Sequence, residues 1–427
     1  MVRLLKSLGP AIIVASVVLG PGSILANSKV GAEYGYGMIW VLALAVLLMI
    51  GATALSARLG ASLRGTLCQE LAARLGRPVA ALIGISVFLV VACFQFSNNL
   101  GVLAAIEPLA GASRWWQMAV LLGLNAAIIA ALLGLRRLYL PVERLMMALV
   151  LVMLVAFAGN LFFAQPSLSA VVQGFVPRLP RADADTGLAA LLPLIAMIGT
   201  TFSVAGAFYQ SYLVREKGLT VDETNESLID SIAGISVLGV VSLMIMVTSA
   251  AVLHGKVEPS ELTSAADVAQ QLTPLFGRGA EILFCLGIFA GAFSSFLVNA
   301  MIGGAMLADG LGLGGKMDDR WPRIFTVCAL LAGMVVAIVV TLSGEKPVAQ
   351  IMIAQSIVVF GFPLMAAAMV YLGLCRGADG RRAAPRWLVA VGAIGMIVTL
   401  LIAVDLGRNL YLQIWPPTVE ASVIDPE

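Results

Sequence analysis

The feature that most constrains this chain is a succession of apolar runs, each about 20 residues long, separated by short polar segments. Of the 427 residues, 60% are hydrophobic and 12% are charged, which is about half the charged fraction of a soluble domain. A helical run of that length matches the thickness of a bilayer. The sequence therefore predicts one all-α integral membrane domain over residues 1–427, embedded in a lipid bilayer. The eleven predicted spans lie approximately at residues 9–28, 38–57, 79–106, 115–134, 143–164, 188–213, 229–253, 279–309, 324–343, 347–374 and 387–405.

The positions of the basic residues predict how the spans are oriented. If the N-terminus is cytoplasmic, the inner segments hold most of the 26 Lys and Arg residues, as the positive-inside rule requires. An odd number of spans then places the tail, residues 406–427, outside a bacterial cytoplasmic (inner) membrane. The net charge of +2 gives no reason to expect a nucleic-acid partner. The five scattered cysteines indicate neither a disulfide framework nor a cysteine metal site, and no cofactor is predicted.

The first span is interrupted by the sequence Gly-Pro-Gly-Ser at residues 20–23. Proline and glycine remove helix hydrogen bonds at a depth where water cannot replace them. Such a break persists in a membrane where protein or a polar cavity satisfies the freed groups. Discontinuous helices of this kind form the substrate sites of transporters. The alternative is a proline-kinked span that carries no site.

A second patch of small and hydroxyl-bearing residues, Ile198–Gly206, lies inside the sixth span. Spans one to five and six to ten divide the chain into two halves, 1–165 and 185–375, with span eleven added at 385–405. The two interruptions then occupy matching positions, which indicates an inverted-repeat transporter with its substrate between them. The alternative for the second patch is a helix-packing face, since small residues also let helices approach closely.

The ordered motifs of the chain resemble the Nramp family of divalent metal transporters, roughly from residue 8 to residue 370. In span one that family has Gly-Pro-Ala, an Asp-Pro-Gly-Asn break, a Gly-Ala-x-x-Gly-Tyr turn and a Trp. The matching positions here are Gly9-Pro10-Ala11, the turn Gly31–Tyr36 and Trp40, with the family's spacing. Further matches follow in order: Asp230, His254-Gly255, an outer amphipathic helix at Ala266–Gly277, Ser294-Ser295, and the pair Gln355 and Pro363. The resemblance implies a LeuT-type 5+5 inverted repeat with spans one and six discontinuous, and alternating-access transport of a divalent metal ion.

The chain departs from the family where that metal would bind. Gly20 stands at the family's metal-binding Asp, and Ser203 stands at its metal-binding Met. The accompanying Asn and His of the family are Ser23 and Ala205 here. These residues offer no sulfur, imidazole or charge to replace the water that a transition metal loses on binding. The predicted substrate-binding residues are Gly20, Ser23, Thr201, Ser203 and Gln355, and no metal-ligand set is assigned.

Two kinds of small solute fit such a neutral site. Its hydroxyl, amide and carbonyl oxygens could meet the water shell of a hard cation, so that hydrated Mg²⁺ is a better candidate than Mn²⁺. The helix that restarts near residue 22, with Ser23 as its N-cap, could instead hold a small anion or carboxylate. The residues leave this choice open. A third hypothesis is a non-transporting receptor or sensor on the same fold. An enzyme is not predicted, because the sequence shows no nucleophile–base pair.

Span three carries Gln95, Asn98 and Asn99, where the family has acids that relay protons. An amide cannot carry a proton through a titration, so the coupling ion is left open. Polar residues in spans often line pathways, and we expect these three to do so together with Asp230 and His254. The alternatives are interhelical hydrogen bonds for the amides and a capping role for His254. Asp309 is placed near the inner end of span eight.

Overall fold

The computed structural model describes residues 10–110, 113–134, 139–178, 187–220, 224–258, 262, 278–316, 318–344 and 347–414. The predicted outer helix at 266–277 and residues 415–427 of the tail lie outside these ranges. The helices are α1 (Pro10–Val18), α2 (Pro21–Tyr34), α3 (Ile39–Ser62), α4 (Leu67–Leu75), α5 (Arg77–Ala110), α6 (Arg114–Gly134), α7 (Tyr139–Ala164), α8 (Leu168–Gln173), α9 (Gly187–Thr201), α10 (Val204–Glu216), α11 (Thr224–Val252), α12 (Arg278–Leu311), α13 (Arg320–Ser343), α14 (Pro347–Ile357), α15 (Phe362–Leu374) and α16 (Arg386–Ile414).

Within the described ranges, ten helical stretches are long and apolar enough to cross a membrane. One of them, Pro21–Ser62, contains both α2 and α3, which meet at a 3₁₀ turn, Gly35–Met38. With α1 and α2 taken as the two halves of span one, the order reproduces the eleven predicted spans. Span six is α9 with α10 and span ten is α14 with α15, while the unbroken spans are α3, α5, α6, α7, α11, α12, α13 and α16. The predicted all-α membrane protein is confirmed.

The broken helices lie at the centre of the molecule. Span six is buried over most of its length, whereas less than a third of span four or span nine is buried. Large aliphatic side chains such as Leu47, Leu151 and Val339 lie on the exposed face. A soluble monomer does not expose apolar surface on this scale, so this face is the one that contacts lipid.

Spans three and eight approach each other closely at glycines. A Cβ added at Gly84 would lie 2.6 Å from the Met306 carbonyl oxygen, and one added at Gly310 would lie 2.6 Å from the Ala80 carbonyl oxygen. Small residues allow the backbones of two membrane helices to pack in this way. The crossing brings the middle of span eight beside the interruption of span one.

Candidate functional site

The first half of span one ends at Val18, and its second half starts at Pro21. Gly20 is the N-cap of α2 in extended conformation (φ −78°, ψ 174°), and its carbonyl accepts the Ile24 N–H at 3.1 Å. Proline suits the first helical position because it lacks an N–H that would be unpaired there, and its φ is already helical. The prediction that Ser23 is the N-cap was therefore wrong, because Pro21 starts the helix earlier and places Ser23 in its first turn.

Span eight satisfies the carbonyl groups that the break sets free. The hydroxyl of Ser294 donates to the Ser16 carbonyl at 3.0 Å, and the hydroxyl of Ser295 donates to the Val17 carbonyl. The Leu19 carbonyl packs directly on Gly291, where an added Cβ would lie 2.4 Å away. The end of α1 thus keeps partners for its carbonyls although the helix stops inside the membrane.

Gly20 has no free space around its Cα. An added Cβ would lie 2.6 Å from the Ser295 hydroxyl oxygen and 3.2 Å from the Asn98 side-chain oxygen. A hydroxyl and an amide therefore surround the position where, by the sequence resemblance, the Nramp family has a carboxylate. Gly20, Ser295 and Asn98 form one neutral polar corner at the break.

Gln355 of span ten lies across the start of α2. A Cβ added at Gly22 would lie 2.5 Å from the Gln355 side-chain nitrogen, and one added at Gly199 would lie 3.0 Å from the Gln355 carbonyl oxygen. Gln355 thus touches span one and span six together. Its side-chain oxygen is buried and has no hydrogen-bond partner within the described part of the chain. A buried acceptor without a donor is costly, so this oxygen is suited to a ligand.

Span six is interrupted between Thr201, where α9 ends, and Val204, where α10 starts. Ser203 is the N-cap of α10, and its hydroxyl accepts the Gly206 N–H at 3.4 Å. The Thr201 hydroxyl oxygen is buried without a hydrogen-bond partner among the described residues. The predicted discontinuity of spans one and six is confirmed, and Gln355 bridges the two.

Asn27 lies one helical turn after Ser23 and was not predicted from the sequence to be a site residue. Its side-chain nitrogen donates to the Ser23 carbonyl at 2.8 Å and to the Ser23 hydroxyl at 3.3 Å. Its side-chain oxygen is buried and unpartnered within the described ranges. The available signal was an amide four residues after a serine inside an apolar span. Ser23 is therefore tied to its own helix through Asn27.

The span-three amides form a network that joins spans three, four and eight. Gln95 donates to the Phe296 carbonyl at 2.6 Å, and Asn98 donates to the Gln95 side-chain oxygen at 3.1 Å. Asn99 accepts from Asn125 of span four at 2.8 Å. Gln95 and Asn99 thus make the interhelical bonds that were the alternative to a pathway role, while Asn98 reaches the break.

Asp230 and His254 hold the two ends of span one and lie away from its middle. The Asp230 carboxylate accepts the Ala11 N–H at 3.1 Å, at the start of α1. The His254 ring nitrogen Nδ1 is 2.9 Å from the Ala32 carbonyl oxygen, in the last turn of α2. The geometry is that of helix capping, so the structure does not bring these two residues to the break.

Asp309 closes the end of the bundle at which span one begins, the predicted cytoplasmic end. Its carboxylate accepts a hydrogen bond from Thr66, just before α4, and one from the Tyr212 hydroxyl of α10 at 2.6 Å. The Arg77 guanidinium donates to the Asp309 carbonyl at 3.3 Å. A cavity of about 400 Å³ opens beside this cluster. The ends of spans two, three, six and eight are thereby held together.

The described residues contain no group of three or more His, Cys, Asp or Glu side chains that could hold a metal ion. The oxygens at the two breaks are all uncharged. The arrangement can hydrogen-bond a solute or face a hydrated ion, but it supplies no fixed negative charge.

Known proteins similar to this chain are membrane transporters. The family model described as natural resistance-associated macrophage protein-like (Nramp) matches residues 11–407. A divalent metal cation transporter MntH of Deinococcus radiodurans is 30% identical, covering 94% of this chain and 89% of the relative. A protein of the same name from Pectobacterium carotovorum is 26% identical, covering 96% and 94%.

Solved structures share the fold. The crystal structure of the Eremococcus coleocola manganese transporter with an aromatic bis-isothiourea compound superposes with a TM-score of 0.78 at 18% identity, over 97% of this chain and 88% of that one. MhsT in complex with L-phenylalanine gives a TM-score of 0.55 at 15% identity, over 93% and 98%.

These structural likenesses confirm the predicted LeuT-type fold, and relatives named as transporters agree with the prediction that the chain is not an enzyme. The division into repeats at 1–165 and 185–375 stays a prediction, as do the roles of the individual site residues. The family match extends over nearly the whole chain, across both broken helices and all the spans between them. The chain belongs to the Nramp family.

Proposed function

We propose that this protein is an alternating-access transporter that carries a divalent metal ion with part of its water shell, and that it prefers Mg²⁺ to Mn²⁺. The names of its relatives support the ion class, and the two broken helices support the mechanism. We place it in a bacterial cytoplasmic membrane with its N-terminus inside and its C-terminus outside, following the distribution of basic residues.

The observation that carries the proposal is the uncharged chemistry of the breaks, where the side-chain acceptors are hydroxyl and amide oxygens. The Ser295 and Asn98 side chains surround the Cα of Gly20, and Gln355 and Thr201 each offer a buried oxygen that has no donor among the described residues. Mg²⁺ gives up its water reluctantly and usually keeps several water molecules, which neutral oxygens can meet. A dehydrated Mn²⁺ would need the sulfur, imidazole or carboxylate that is missing here.

A small carboxylate is the second candidate, and one observation favours it. The N-cap of α2 is a glycine, so its first N–H groups receive no hydrogen bond from the side chain of the N-cap residue. A helix N-terminus attracts anions, and no carboxylate of the described residues lies at the break to repel one. A carboxylate substrate would bind these N–H groups and not the oxygens of Gln355 and Thr201.

The substitution Gln355→Glu separates the two candidates because it adds one negative charge with almost no change in shape. Titration calorimetry on the purified protein in detergent would use Mg²⁺, Mn²⁺, acetate and L-alanine as probes. We expect Mg²⁺ to bind the wild type, and Gln355→Glu to tighten that binding by about tenfold or more, since opposite charges attract strongly in a low-dielectric site. Gln117→Glu, on lipid-facing span four, is the matched control and should leave the affinity unchanged.

Two results would contradict the proposal. Binding of acetate or L-alanine that Gln355→Glu abolishes would establish the carboxylate as the ligand. Low-micromolar Mn²⁺ binding that Ser203→Ala removes would show that the site selects a transition metal in spite of its neutral residues.

A further inference from the structure

We propose that a pocket lined by arginines binds the headgroup of an anionic phospholipid. The pocket has a volume of about 470 Å³ and lies where spans two and seven meet the loop before span eleven. Arg58, Arg381, Arg382 and Arg386 line it together with Trp387, and none of the described residues that line it is acidic. This end of the bundle is the predicted cytoplasmic one, where membranes carry anionic lipid.

The loop that presents two of these arginines is rigidly built. Residues 375–383 form a hairpin in which the Ala383 N–H donates to the Cys375 carbonyl at 2.9 Å. The hairpin is fastened to the end of α3 by Ser62, whose carbonyl accepts the Ala378 N–H at 2.8 Å and whose hydroxyl donates to the Ala383 carbonyl at 2.8 Å. The Arg381 and Arg382 side chains are exposed on this fixed backbone, so binding a ligand has to order their rotamers but not the loop itself.

Three arginines of the pocket, Arg381, Arg382 and Arg386, form no ion pair with a described carboxylate. The ion pairs between described side chains are Arg74–Glu70, Lys217–Glu143 and Arg323–Asp318, and they include none of these three. The nearest acid in the hairpin, Asp379, accepts the backbone N–H of Arg381 at 3.0 Å and does not pair with its guanidinium. Guanidinium groups bind phosphate through two parallel hydrogen bonds, which makes a phosphate-bearing ligand the best match.

An apolar groove between the same two helices favours a lipid over free phosphate as the ligand. A groove of about 340 Å³ runs between α3 and α11, lined by residues such as Val46, Ile50 and Gly239. Ile50, Ala54 and Arg58 are spaced four residues apart, so the groove and the arginine pocket lie along one face of α3. Trp387 is 55% exposed at the pocket edge, the usual place of tryptophan at a membrane interface. A phospholipid fits both features, with its phosphate headgroup in the arginine pocket and its acyl chains in the groove.

The test compares phosphatidylglycerol, phosphatidylcholine and inorganic phosphate added to the purified full chain in detergent. Native mass spectrometry measures the lipid affinity, and thermal unfolding measures the stabilisation that binding to the native state must produce. We expect phosphatidylglycerol to bind and to raise the unfolding temperature, with weak effects of the other two probes. Arg381→Gln/Arg382→Gln should lower the affinity on the order of thirtyfold.

Arg144→Gln/Arg320→Gln is the matched control, since it removes two exposed arginines from the same end of the bundle outside the pocket. It should keep the wild-type affinity. Arg386→Gln is a second test variant that leaves the hairpin untouched, and it should also weaken binding. Equal affinity for phosphatidylcholine, an equal effect of inorganic phosphate, or unchanged binding in both pocket variants would overturn the proposal.

Discussion

The missing side chain of Gly20 determines which groups surround the break in span one. Gly20 leaves room for the Ser295 hydroxyl and the Asn98 amide to reach the break, and these groups now fill the space of the family's carboxylate. The same neighbours determine what position 20 tolerates. Even the smallest side chain would need to move the Ser295 oxygen, which donates to the Val17 carbonyl.

The first prediction concerns this close packing. Gly20→Ala should lower the free energy of unfolding by about 1–3 kcal/mol, the usual range for overpacking a filled interior. Ser295→Ala should cost less stability in the Gly20→Ala protein than in the wild type, because it removes the atom nearest to the added Cβ as well as the hydrogen bond to the Val17 carbonyl. Denaturant unfolding in mixed micelles measures both effects.

The control for this prediction is Gly123→Ala on span four, where an added Cβ meets no atom within 4 Å. That substitution should be neutral, or stabilising by up to about 1 kcal/mol through helix propensity. Equal destabilisation by Gly20→Ala and Gly123→Ala would show that crowding at the break is not the cause.

Residue roles could be predicted from the sequence only in part. Polar side chains are rare in apolar spans, so Asn98, Gln355 and Asp230 could be singled out from the sequence alone. Their partners could not, because the Ala11 N–H that Asp230 caps lies 219 residues away. For His254 the sequence allowed two interpretations, a pathway residue or a helix cap. The distance of its ring nitrogen from the Ala32 carbonyl favours the cap.

At the scale of helices, the interruptions were predictable because their causes are local. Pro21 has no N–H to donate and its ring clashes with the carbonyl four residues before it, so a helix that reaches it is kinked or broken. What satisfies the broken ends is not local: Ser294 and the carbonyl of Ser16 are 278 residues apart. The 3₁₀ stretch Val358–Gly361 in span ten was not predicted, although Pro363 follows it closely and cannot donate to a preceding turn.

Cys68, at the start of α4, lies at the closed end of the bundle, and the reactivity of its thiol can report whether that end opens. Its side chain is fully buried and its backbone N–H lies 3.4 Å from the Tyr212 hydroxyl oxygen. Burial raises the pKa of the Cys68 thiol to about 12, and the charge of Asp309 adds to that increase. Because the thiolate is the reactive form, Cys68 is unreactive at neutral pH while this end stays closed.

The second prediction uses this thiol in a variant that keeps Cys68 as its single cysteine. Tyr212→Phe removes one hydrogen bond to Asp309, weakens the closure and should raise the rate of maleimide labelling several-fold at pH 7. Tyr371→Phe, at an exposed position on span ten, should leave the rate unchanged. Mass spectrometry of the labelled protein follows the reaction. Equal rates in the wild type and Tyr212→Phe would mean that this cluster does not control opening.

At the scale of the whole molecule, the fold was predictable and the substrate was not. The fold follows from the number of apolar runs, the two interruptions and the order of family motifs, which together involve most of the chain. In the proposal, the substrate depends on a few residues at the breaks, such as Gly20 and Ser203, and the motif resemblance predicts that these are the ones that differ from the family. One fold can carry different chemistry at its site, so membership of a family fixes the architecture more firmly than the ligand.

The last prediction is that substrate uptake proceeds without stoichiometric proton entry. The fully buried carboxylates of the described residues are Asp230 and Asp309. Both lie at the predicted cytoplasmic end, where each accepts hydrogen bonds from neighbouring groups. Between that end and the opposite one, the polar residues of span three are the serines Ser86 and Ser97 and the three amides, and none of these side chains passes a proton by titration. Among the described residues, span three therefore carries no carboxylate between the breaks and the two buried aspartates.

Proteoliposomes test this directly, with a Mg²⁺ indicator and a pH-sensitive dye enclosed together. On addition of Mg²⁺ outside, we expect the indicator signal to rise while the pH signal stays flat, and protein-free liposomes to show neither change. Acidification in proportion to Mg²⁺ uptake would contradict the prediction. Asp230→Asn and His254→Gln would then be compared. If either residue relays protons, its substitution should abolish the acidification. If the residue only caps a helix, its substitution should lower stability and leave the ratio of protons to Mg²⁺ unchanged.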